Sequence, residues 1–244
     1  MVKEVSNYDF VMVLLARVGE ISKHGKIMEA EELLNKAVEI ADDIVDLNKK
    51  IAAFIQISRS YAMLGKKQNA RDILDSAEEE IEQLEDQKSL FMRIIIRIEK
   101  ARLGLIEADK LSEFLESIRK MFRNYIEKTQ NREAMRYYIA FIVAVWAPIM
   151  INYDVSHVEK VLSNIMNDLK DLREDPYYAE LLTLLAEVHV KVRKMEQAML
   201  ELKRAVAIYK KSLDMFEDVI KSILDFVKKN FPNKYEEFLR EIGI

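Results

Sequence analysis

"FIQISRSYAMLGKKQNARDILDSA", Phe54–Ala77, carries the pattern on which the fold of the chain turns. An apolar helical run closes at Gly65, and a second follows in which Ala70, Leu74 and Ala77 are spaced by four and three. That spacing puts the three on one helix face. Gly at the junction suits a helix C-terminus, where the backbone turns left-handed. Forty residues earlier, "GKIMEAEELLNKA", Gly25–Ala37, has the same Gly, Lys, Ala, Leu and Ala in register. The stripe returns in "EQAMLELKRA" as Ala198, Leu202 and Ala205, and in weaker form as Leu111, Leu115, Ile118 and as Val158, Leu162, Ile165. Its leading positions are therefore 30, 70, 111, 158 and 198. Recurrence of this kind signals a stack of helical hairpins, each burying its apolar face against the next.

Another apolar helix precedes each stripe, at Phe10–Lys23, Ile51–Leu64, Leu90–Leu103, Met135–Ile151 and Tyr177–Val192. The fourth contains "YYIAFIVAVWAPIMI", Tyr137–Ile151, which has no charged residue. Its 15 residues make about 22 Å of helix, short of the ~30 Å hydrocarbon layer of a bilayer. Arg136 and Asp154 bracket it, with no basic cluster on either side. A first-helix slot enclosed by neighbours calls for a helix apolar all round, so the segment is expected in the core, not in a membrane.

The second hairpin resembles a tetratricopeptide repeat (TPR): Phe54, Ile57, small Ser58, Tyr61, Gly65, Ala70, Leu74 and Ala77 stand at that family's signature spacings. The fifth keeps Leu182, Ala186, Ala198, Leu202 and Ala205 but has Arg193 in place of the turn Gly. The first keeps Gly25, Ala30, Leu34 and Ala37 with Val18 at the small position, and the fourth puts bulky Trp146 there, so its two helices should sit further apart or cross differently. The period, 40–47 residues, exceeds the ~34 of TPR units. The resemblance implies an all-α, right-handed solenoid of about five antiparallel hairpins with lengthened helices. The expected hairpins span roughly 8–47, 48–86, 87–128, 131–173 and 175–211, in one continuous domain. Beyond 211, "LDMFEDVIKSILDFVKKN" is amphipathic through Leu213, Phe216, Val219, Ile220, Ile223, Leu224 and Val227, and "FPNKYEEFLREIGI" adds a short helix. Residues 212–244 are expected to cap the last apolar face. The alternative is an arm that docks on or swaps with a partner.

Composition agrees with an all-helical chain: of 244 residues half are apolar and a third charged, with Gly and Pro scarce. No Cys is present, which excludes disulfides, thiolate nucleophiles and Cys-ligated metals. Lys and Glu in abundance without Cys is the composition expected of a thermophile. A net charge of -4 gives no general attraction to nucleic acid. The opening run "FVMVLLA" has no small-residue cleavage site, so a cytoplasmic protein is expected.

Catalytic signatures are weak. "DDIVD" places Asp42, Asp43 and Asp46 as in the aspartate-rich motif of helical prenyl-diphosphate synthases, where carboxylates hold Mg²⁺. No second such motif follows, and hairpin two ends equally acidic in Glu82, Glu85 and Asp86, which favours a solvated helix end. The histidines, His24, His157 and His189, share no metal-ligand spacing; His189 falls in the slot held by Tyr61. Bases gather at Arg93, Arg97, Lys100, Arg102, Arg119, Lys120, Arg123, Lys128, Arg132 and Arg136, but acids are interleaved and aromatics are not, as on a solvated face. No catalytic residue, metal or cofactor is expected.

What the TPR resemblance implies is a concave groove lined by first helices and filled by a peptide or protein segment. Carried over residue by residue, the lining is Arg59, Ala62 and Met63 from hairpin two and Met92, Ile95, Glu99 and Arg102 from hairpin three. Val143, Ala147 and Met150 from hairpin four and Glu187 and Lys191 from hairpin five complete it. Two readings stay open for these side chains: an open lining, or interior packing where lengthened helices close the groove. The function expected is a non-catalytic interaction scaffold. The alternatives are a self-associating structural subunit, such as a homodimer, using the apolar helices or the C-terminal arm, a Mg²⁺-dependent diphosphate enzyme using Asp42, Asp43 and Asp46, and an RNA-binding protein.

Overall fold

The computed structural model describes residues 6–82, 84, 87–211 and 216–244; Glu85, Asp86 and Leu213 lie outside them. Among the described residues there are helices and no strands. The chain forms two compact units, Met1–Thr129 and Gln130–Ile244.

The first unit comprises α1 (Asn7–Lys23), α2 (Ile27–Asp42), α3 (Leu47–Met63), α4 (Lys67–Glu82), α5 (Gln87–Arg102) and α6 (Leu111–Thr129). Side chains punctuate it: Ser6 caps α1 through the Asp9 amide, and Asp46 caps α3 through the amides of Asn48 and Lys49. Each pair packs internally (α1 on α2, α3 on α4, α5 on α6) and also onto the next, α2 on α3 and α4 on α5. First helices also touch first helices, α1 with α3 and α3 with α5. The small–large–small stripes explain these contacts. Ala30, Leu34, Ala37, Ala70, Leu74 and Ala77 are all fully buried, the alanines letting neighbouring backbones approach. Leu115 and Ile118 of the weaker third copy are equally buried, whereas Leu111 is only half-buried.

The second unit comprises α7 (Arg132–Phe141), a π-helical turn (Ile142–Trp146), α8 (Ala147–Met150), α9 (Val155–Asp168), α10 (Pro176–Lys191), α11 (Met195–Lys211), α12 (Glu217–Asn230) and α13 (Tyr235–Ile242). Helix α10 is central: it packs on α7, the π turn, α9 and α11. Arg132–Met150 is a continuous helical stretch, long and apolar enough to cross a membrane by length and composition. Over half of that apolar window, 56%, is buried, with Ile139, Phe141, Ile142, Trp146, Ala147 and Met150 all interior. Trp146, the large residue at a small position, sits where the helix widens and the Ala147 amide reaches back to the Ile142 carbonyl. The extra residue in that turn shifts the register of the helix around the indole. Helices α12 and α13 both lie on α11 and bury Ile223, Val227 and Phe238.

Four hairpin turns share one hydrogen-bond pattern. Lys26, Lys66, Leu105 and Lys194 amides return to the carbonyls of Ile21, Tyr61, Lys100 and His189, five residues back. The residue before each is left-handed: Gly25, Gly65 and Gly104, and at the fourth turn Arg193, with φ of 62°.

Candidate functional site

Helices α3 and α5 leave between them an open depression of about 420 Å³, lined by Arg59, Ala62, Met63, Glu99, Arg102 and Leu103. Its architecture follows from the repeat. The pairs Arg59 and Glu99, Ala62 and Arg102, Met63 and Leu103 are each 40 residues apart, so one turn of helix is presented twice by neighbouring hairpins. Arg59 grips Glu99 with two hydrogen bonds, Nε to Oε1 at 2.7 Å and an NH2 nitrogen to Oε2 at 2.8 Å. The hydrogen bond to Glu99, with its charge, raises the Arg59 guanidinium above its ordinary pKa despite some burial. Arg102 approaches the same carboxylate at 3.4 Å. The Glu99 side chain is buried, so two guanidinium groups face one inward carboxylate and the rim keeps a positive charge in excess. Met63, 81% exposed, projects beside them. The surface thus offers a flexible apolar contact and directed N–H donors.

Of the expected lining, Arg59, Ala62, Met63, Glu99 and Arg102 come together here. Leu103, one period after Met63, joins the lining without being among the expected residues. Ile95 is half-buried against the core of the first unit, and Met92 is buried in it, so Met92 is packing and not lining. In the second unit Ala147 and Met150 are likewise interior, because the π-widened helix is held inside; Val143 is half-buried. Glu187 and Lys191 are exposed on α10.

Asp42 and Asp43 are exposed at the end of α2, and the Asp46 carboxylate is committed to the cap of α3. Among the described residues no group of three His, Asp or Glu is placed to hold a metal. Among the bases in the middle of the chain, Arg93 pairs with Glu82, Arg97 and Lys100 with Glu78, Arg119 with Glu116, Arg123 with Glu127 and Arg136 with Asp175.

Helical pairs that bury an alanine–leucine–alanine stripe, touch first helix to first helix and close through a left-handed turn define a TPR-like helical-repeat fold. Comparison with solved structures agrees. The fold is similar to a crystal structure of a kinesin light chain candidate from Podosopora anserina with nearly identical TPR-like repeats. The TM-score is 0.55 at 17% identity, over 84% of this chain and 97% of that one. No family profile matches the sequence, and no curated protein matches it.

Proposed function

We propose that the protein is a non-catalytic interaction scaffold that receives a peptide or protein segment in the depression between α3 and α5. One observation carries this reading: two adjacent repeats turn equivalent positions outward to make a single concave surface in which Met63 and the two guanidinium groups are accessible. The segment it suits combines an apolar side chain with a carboxylate. Because Arg59 is already fixed by Glu99, binding requires little rearrangement. Affinity capture from native lysate followed by mass spectrometry tests it. The wild-type chain recovers a protein partner, and Met63→Glu and Arg102→Glu each reduce recovery by about tenfold or more, as expected for anchor positions. Both side chains point outward, so circular dichroism should be unchanged. No recovered protein, or equal recovery by all three chains, refutes the scaffold.

A second reading, self-association, draws on α1. Its Phe10 and Val13 are exposed, Val13 by 61%, whereas Ala53, 40 residues after Val13, is fully buried. Sedimentation decides it: a monomeric wild type, or an oligomer that survives Phe10→Glu with Val13→Lys, removes this reading.

A further inference from the structure

His189 lies near the C-terminal end of α10, 6% exposed, with a carboxylate on each ring nitrogen. Glu159 of α9 is 3.2 Å from Nε2, and Glu201 of α11 is 2.8 Å from Nδ1. Lys194, in the turn after α10, pairs with the same Glu159, and Arg204 adds positive charge near Glu201. Charged groups of α7 meet α10 at its other end, where Arg136 pairs with Asp175, and the π turn carries none.

Hairpin two shows what this site departs from. Tyr61, Lys66 and Glu31 stand 128 residues before His189, Lys194 and Glu159, and Lys66 pairs with Glu31 as Lys194 does with Glu159. There, however, a neutral phenol donates to Asn35, and Ile73 stands where hairpin five has Glu201. In hairpin five the imidazole and the second carboxylate are additions, and Ser163 stands where hairpin two has the Asn35 acceptor.

Proton counting then constrains the chemistry. A neutral imidazole donates from one nitrogen and offers a lone pair on the other. Facing two ionised carboxylates, one of its two contacts would set lone pair against lone pair. Both contacts become hydrogen bonds only when the site holds one further proton, on the imidazole or on a carboxyl.

We propose that His189, Glu159 and Glu201 form a proton-dependent clasp that fastens α10 to α9 and α11 and loosens when its additional proton leaves. Burial pushes the Glu201 carboxyl above its usual range against the pull of His189, while the hydrogen bond from Lys194 holds Glu159 below it. The sign follows from linkage. The clasp is complete only with its additional proton bound, so folding and that proton are linked. Stability from the clasp is therefore lost as pH rises and that proton leaves. Glu187 and Lys191 lie on the same helix, so its hold on its neighbours also sets how firmly they are displayed.

The test compares melting of the full-length wild type with His189→Tyr and with His189→Tyr, Glu201→Ile, which removes both the imidazole and the second carboxylate. From about pH 6.5 to about pH 8.5 the wild type should lose about 2–4 °C, the shift about 1 kcal/mol produces in a chain of this size, and the double variant should lose none. Parallel curves for wild type and double variant refute the clasp. Should the variants misfold, NMR of the labelled wild type at pH 7 decides alone. A charged His189 ring or a protonated Glu201 carboxyl supports the proposal; a neutral ring between two ionised carboxylates overturns it.

Discussion

Arg193 occupies a turn position where three other hairpins have Gly, and it adopts the same left-handed backbone at φ of 62°. For a residue with a Cβ that conformation costs about 1–2 kcal/mol, so Arg193→Gly should raise the melting temperature by about 2–4 °C in a thermal scan. The substitution of Gly by Arg was visible in the sequence; that the turn nevertheless forms is knowledge only the backbone supplies. His189 shows the same division. Its equivalence to Tyr61 was legible from spacing, but its partners come from the helices before and after it, and no local periodicity links them.

Between elements, α4 and α5 are joined by a partly buried ion cluster. Glu78 accepts hydrogen bonds from Lys100 Nζ at 2.6 Å and Arg97 Nε at 2.5 Å, and Lys100 also reaches Asp75 at 2.6 Å. Burial alone would raise the Glu78 carboxyl, but the hydrogen bonds and charges of Lys100 and Arg97 outweigh it and hold the group below the usual range. A lowered carboxyl stabilises the fold above its unfolded value, about pH 4.3, and that contribution disappears as pH falls through the folded value. Glu78→Gln should therefore cost about 3 kcal/mol at neutral pH, since Lys100 is left buried and half-paired. The cost should shrink on acidification, as denaturant titrations at neutral pH and near pH 3.5 would show. The stripes that bury each helix were readable because their spacing is local. Lys100 and Arg97 read only as members of a basic run, since the facing Glu78 is 22 and 19 residues away.

At the scale of the molecule, repeat architectures transmit disturbance mainly to nearest neighbours. Hydrogen exchange with mass spectrometry should show Glu78→Gln loosening α4 and α5 while α10 and α11 keep wild-type protection; uniform acceleration along the chain would contradict that locality. The helical-hairpin class was legible because one stripe recurs five times. The lining of the α3–α5 depression was legible in part, for the same reason. Hairpin four departs from the others in carrying Trp146 at the small position, and the turn at Ile142–Trp146 accommodates it. One surplus residue absorbed there keeps both flanks of the helix facing their neighbours, so fixed-step counting across it drifts. Such a bulge can also be undone: removing a single residue, the exposed Ala144 for instance, should restore an ordinary helix without turning either flank away from its packing.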